Sequence, residues 1–115
     1  MLAYALVVFA IGALGGVLLA TYVLRGRLAP WALSLLHAGL GAIGLLLLIY
    51  AAVTAGLSHM ALLALVILAV AALGGFYLAS IHLRGKVAQQ PVVFIHAGVA
   101  VVGFLTLLGV VVGVL

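Results

Sequence analysis

Apolar residues fill this chain in four long blocks, and the polar residues gather in the short joins between them. The blocks are Ala3 to Leu24, Trp31 to Val53, Met60 to Leu83 and Pro91 to Leu115, and the joins are six or seven residues long. A membrane-crossing helix needs about 20 mainly apolar residues, so each block is one span. The runs are unbroken and do not alternate as barrel strands do. Backbone amides in hydrocarbon must find partners inside their own segment, which selects helices. The pattern therefore predicts an all-α fold, a four-helix transmembrane bundle in a single membrane domain covering residues 1–115.

Composition removes the soluble alternatives. Of the 115 residues 71% are hydrophobic and 3% charged, and there is no Asp or Glu. No polar shell can be built from such a chain, so its solvent is lipid. The absence of cysteine excludes disulfides and thiolate metal sites. No carboxylate pair, thiol or phosphate-cradling loop is present, and the expectation is that the chain has no catalytic activity of its own.

Charge supplies an orientation. The four cationic side chains are Arg25 and Arg27 in the first join and Arg84 and Lys86 in the third, while the middle join has none. Positively charged loops stay in the cytoplasm, which predicts both basic loops inside and both termini outside. Four cations split between two juxtamembrane loops suit anionic lipid and are too few to neutralise a nucleic-acid backbone.

Sliding the chain against itself exposes a tandem repeat. At an offset of 59, without a gap, residues 1–56 match residues 60–115 at 22 of 56 positions, and Met1 falls on Met60. Leu24-Arg25-Gly26 falls on Leu83-Arg84-Gly85, and His37-Ala38-Gly39 on His96-Ala97-Gly98. Each copy is one helix hairpin. Two copies with an even number of spans insert the same way, which relates them by a pseudo-twofold axis along the membrane normal.

That symmetry makes a pair of two histidines. His37 lies six residues into the second block, about 9 Å along a helix, and His96 lies at the matching depth in the fourth. An imidazole facing lipid is costly, so both are expected to face the axis. On the same helix faces lie Ser34, Gly41 and Gly44 beside His37, and Val93, Ala100 and Gly103 beside His96. The small residues Gly12, Gly16, Ala71, Gly75 and Ala79 of the first and third helices read as helix packing. His82 is expected as a wetted side chain near the interface, and His59 in water at the opposite end.

His37, Gly41 and Gly44 with His96 and Gly103 resemble the site of small four-helix membrane b-type cytochromes and of the haem-bearing membrane anchors of quinone-linked dehydrogenases. The resemblance covers these positions and not the whole chain, and there is one matched histidine pair where the two-haem cytochromes have two. It implies one haem b with His37 and His96 as axial iron ligands, and Gly41, Gly44 and Gly103 admitting the ring. Cations such as Arg25 and Arg84 would meet the haem propionates. Electron transfer, with a quinone in the lipid as redox partner, is the function it implies. Two other readings stand beside it: an accessory subunit of a larger membrane complex without a cofactor, associating with other subunits or with itself, and a small transporter or metal site using His37, His96 and His82.

Overall fold

The computed structural model describes all 115 residues as four α-helices: α1 (Leu2–Leu24), α2 (Trp31–Thr54), α3 (His59–Leu83) and α4 (Gln90–Val111). All four are long and apolar enough to cross a membrane. The fourth block was expected to run as helix to Leu115, but α4 ends at Val111. The chain turns out at Gly113, whose φ of 79° belongs to the left-handed region.

Apolar surface faces outward over most of the molecule. Leu14, Leu46, Leu73 and Ile95 are among the large side chains left largely bare. In water such a belt would drive aggregation, whereas in a bilayer it is the lipid contact. The interior is made instead of small residues that let the helices approach closely. Gly12, Gly15, Gly44, Gly103 and several alanines are among the few fully enclosed positions.

The helices form a ring. α1 packs closely on α2 and α3 on α4, as the hairpins require, while α1 meets α4 and α2 meets α3 in lighter contacts between the two copies. α2 and α4 therefore stand diagonally across the bundle. Near the chain termini the bundle is filled by Ala5, Leu48, Ala64, Leu68 and Leu107. Ala5 and Ala64, like Leu48 and Leu107, are 59 residues apart and fully buried, so each copy supplies the same two core residues.

The matched Arg-Gly sequences have a local cause. After α1 the Gly26 amide donates to the Val23 carbonyl and the Arg27 amide to Tyr22. After α3 the Gly85 amide donates to His82 and the Lys86 amide to Ile81. Gly26 and Gly85 have φ of 66° and 70°. This is a Schellman cap, in which a left-handed residue lets two amides satisfy the last carbonyls of the helix, and glycine takes that conformation without a Cβ penalty. The caps fix where the cations leave the helices. Arg25 and Arg84 are the C-cap residues just past Leu24 and Leu83, and Arg27 and Lys86 follow the turn. On α3 the opposite end is also capped, by the Ser58 hydroxyl accepting from the Ala61 amide at 3.2 Å.

Candidate functional site: a two-histidine cavity on the pseudo-twofold axis

The loop end of the bundle is hollow. A cavity of about 400 Å³ opens there, lined by 34 residues from all four helices and both basic loops. Those 34 divide into 17 pairs (34/2), each separated by 59 residues, with no lining residue left over. Gly16 pairs with Gly75, His37 with His96 and Arg27 with Lys86. The repeat found in the chain thus reappears as the symmetry of a cavity wall.

His37 and His96 face each other across this space. Their ring centres are 6.2 Å apart and their planes are nearly perpendicular, at 89°. Each is held by its own hairpin. His37 Nδ1 lies 2.8 Å from the Gly12 carbonyl oxygen and His96 Nδ1 lies 2.9 Å from that of Ala71. Gly12 and Ala71 are again 59 residues apart. A carbonyl only accepts, so Nδ1 carries the proton and donates in both rings, which leaves Nε2 with its lone pair. Histidine ligands of metals are oriented in this same manner, by a hydrogen bond from the ring nitrogen that does not bind the metal.

The glycines that make room for the rings are on the hairpin partner helices. A Cβ on Gly16 would lie 2.9 Å from His37 Cε1, and one on Gly75 would lie 3.2 Å from His96 Cε1. Read from sequence as plain helix packing, Gly16 and Gly75 instead form the recesses in which the imidazoles lie. Gly41 lines the cavity as expected. Gly44 and Gly103 do not line it. A Cβ on Gly44 would lie 2.7 Å from the Phe9 ring and one on Gly103 2.8 Å from Leu68 Cγ, so both glycines are occupied by side chains of the neighbouring helix.

The cations sort in the same way. Arg27 and Lys86 line the cavity, while Arg25 and Arg84 lie outside its lining. Arg84 Nε donates to the Ser80 carbonyl at 3.3 Å.

His82 differs from its expectation. It is buried, with 8% of its surface exposed, its ring stacked on Trp31 at 4.2 Å and its Nδ1 2.7 Å from Ser34 Oγ. Its Nε2 is buried with no partner. Trp31 and Ser34 enclose it because α2 and α3 meet here between the copies. His59 is exposed at the start of α3, as expected.

The donor set has a chemical consequence. No group of three or more His, Cys, Asp or Glu side chains is assembled to hold a metal. A bare transition-metal ion in a protein site ordinarily takes three or four protein ligands. Two imidazoles suit a metal whose remaining positions are filled by a macrocycle. The volume lies within the range of about 300–1,000 Å³ over which cofactor sites fall. His37, His96 and the cavity therefore fit a haem.

The chain matches no family model, no curated protein and no solved structure.

Proposed function

We propose that the chain is a membrane haem-b protein or subunit that transfers electrons, with His37 and His96 as the iron ligands. One observation carries the reading: two imidazoles, one from each repeat, stand 6.2 Å apart inside a cavity with each Nδ1 held by a backbone carbonyl. His37 and His96 would hold the haem through both imidazoles, and the group would supply one-electron chemistry, which favours electron transfer over oxygen chemistry.

The chain's own work is binding and orientation. The Gly12 and Ala71 carbonyls fix both tautomers and raise the basicity of the ligating nitrogens. Gly16, Gly75 and Gly41 keep Cβ atoms out of the space. The wall is largely apolar, so the protein's own charges act on the site with less screening than in bulk water. By the positive-inside rule the loops 25–30 and 84–90, and with them the cavity, lie on the cytoplasmic side. A hydrophobic electron carrier dissolved in the lipid, such as a quinone, is the redox partner that suits a haem held among membrane helices.

A second reading has a specific observation in its favour. The histidine hydrogen bonds pin α2 to α1 and α4 to α3, which is a sufficient structural role for an accessory subunit joined to others in the membrane. Such bonds are worth only about 0.6 kcal/mol on average in a bilayer, and this reading leaves Nε2 of both rings and the matched cavity wall without a purpose. Absorption separates the two. Protein purified from haem-replete cells is expected to carry a Soret band that disappears in His37→Ala and in His96→Ala. Under the accessory reading it is colourless and the double variant still assembles.

A further inference from the structure

The cavity is symmetric in its positions but not in its chemistry, and the difference is concentrated at the loop end. Arg27 and Lys86 stand there at matched positions, and the chain has no carboxylate to pair with either. Both are exposed at the rim. Beside them His82 lines the same wall where the first copy has Val23. Its surroundings are just as one-sided: Trp31 and Ser34 of α2 correspond to Gln90 and Val93 of α4. The α2–α3 junction therefore carries a stacked, hydrogen-bonded histidine, and the α4–α1 junction carries Val23, Val93 and Gln90.

His82 is the more telling of these groups. With Trp31 over one face and Ser34 on Nδ1, the imidazole is held in place, yet Nε2 is enclosed without a partner. Leaving a buried nitrogen unsatisfied costs stability. A fold whose other buried side-chain nitrogens and oxygens are all paired leaves one unpaired on a residue that lines the cavity, as Arg27 and Lys86 also do. When Ser34 Oγ donates to Nδ1, Nε2 carries the proton and is a donor. Arg27 adds a planar fork suited to a carboxylate, and Lys86 adds a compact charge.

We infer that the loop end of the cavity is a carboxylate-binding site, made by Arg27, Lys86 and His82 Nε2, that holds the acidic end of an amphiphilic ligand whose apolar body lies against His37 and His96. On the haem reading, on which this rests, the acid groups are the propionates; a fatty acid presents the same chemistry. A water-sized probe does not reach Nε2, so the ligand oxygen displaces a neighbouring side chain to meet it. With His82 on one side only, the two-fold wall receives its ligand in one orientation.

The test uses the full chain in nanodiscs of zwitterionic phosphatidylcholine, titrated with haem b, with haem b dimethyl ester and with palmitate as competitor. Free-acid haem is expected to bind about tenfold or more tightly than the ester, the equivalent of one charge-assisted bond. Arg27→Gln with Lys86→Gln brings the two affinities together, and His82→Val, the residue of the first copy, narrows the gap alone. Both substitutions leave the His37–His96 pair intact. Haem and its ester binding equally to the unaltered protein overturns the inference while leaving the haem reading standing. If haem fails to bind but palmitate binds and is lost in the same variants, the carboxylate site stands and the haem reading falls. Palmitate and haem both indifferent to the variants removes the site.

Discussion

Gly16→Ala is the most informative single-atom change in this protein, because it adds one methyl where His37 lies. The new Cβ would be 2.9 Å from Cε1 of the ring, against the 3.5–4.0 Å at which carbon atoms rest, so the ring must withdraw by about 0.6 Å. The Nδ1 bond to the Gly12 carbonyl is 2.8 Å long, and the same displacement stretches it to about 3.4 Å, beyond useful hydrogen-bond range. Loss of that bond and the residual crowding together cost about 1 kcal/mol, roughly a fivefold shift in the folding equilibrium. Gly75→Ala is milder. Its Cβ would lie 3.2 Å from His96 Cε1, the ring needs to yield by about 0.3 Å, and the 2.9 Å bond to Ala71 survives near 3.2 Å. Two chemically identical substitutions at matched positions are thus expected to differ. The assay is SDS titration in bicelles followed by the fluorescence of Trp31, the one tryptophan in the chain. Gly39→Ala, with no atom within 4 Å of its Cβ, is the control, expected to be neutral or mildly stabilising as glycine leaves a helix interior. Gly16→Ala proving no less stable than Gly39→Ala, or indistinguishable from Gly75→Ala, refutes the recessed-ring geometry.

Other substitutions probe the rest of the bundle. Gly44→Ala and Gly103→Ala, which drive a methyl into Phe9 and Leu68, should each cost about 1–3 kcal/mol in the same titration without removing bound haem from the folded fraction. Ser58→Ala removes the N-cap of α3 and is expected to cost about 1 kcal/mol, with increased amide exchange in the first turn of that helix. Because the chain has no cysteine, single cysteines map its orientation cleanly. Leu28→Cys and Val87→Cys should label with a membrane-impermeant maleimide only from the cytoplasmic side, and Ala55→Cys only from the other; the reverse pattern contradicts the proposed orientation.

The physics of the bilayer decides how much of this was legible in the chain. Four helices followed from block length alone, because lipid leaves the backbone no alternative. The pairing of His37 with His96 followed from a repeat without gaps, since a single insertion would have put them at different depths. What failed was the facing of the small residues. A helix in water announces its buried side by an apolar stripe, but these helices are apolar all round, so the rotation of each about its axis leaves no mark in the residue pattern. Residue spacing for this reason puts Gly44 and Gly103 beside the histidines and reads Gly16 and Gly75, which cradle the rings, as packing. His82 departs from the wetted position its sequence neighbours predict, for a related cause. Its burial depends on Trp31 and Ser34, about 50 residues away across a junction between the copies, and the second such junction offers no counterpart because Val23, Gln90 and Val93 stand there. Arg27 and Lys86 line the cavity, and Arg25 and Arg84 do not, because the Schellman caps set where each cation leaves its helix.

The most direct measurement is an absorption spectrum of the purified protein, oxidised and then reduced. A Soret band with the sharp visible bands of a six-coordinate haem on reduction, absent from both His37→Ala and His96→Ala, is the expected result. A colourless protein from haem-replete cells, or a spectrum unchanged in both variants, contradicts the assignment of the two histidines as ligands.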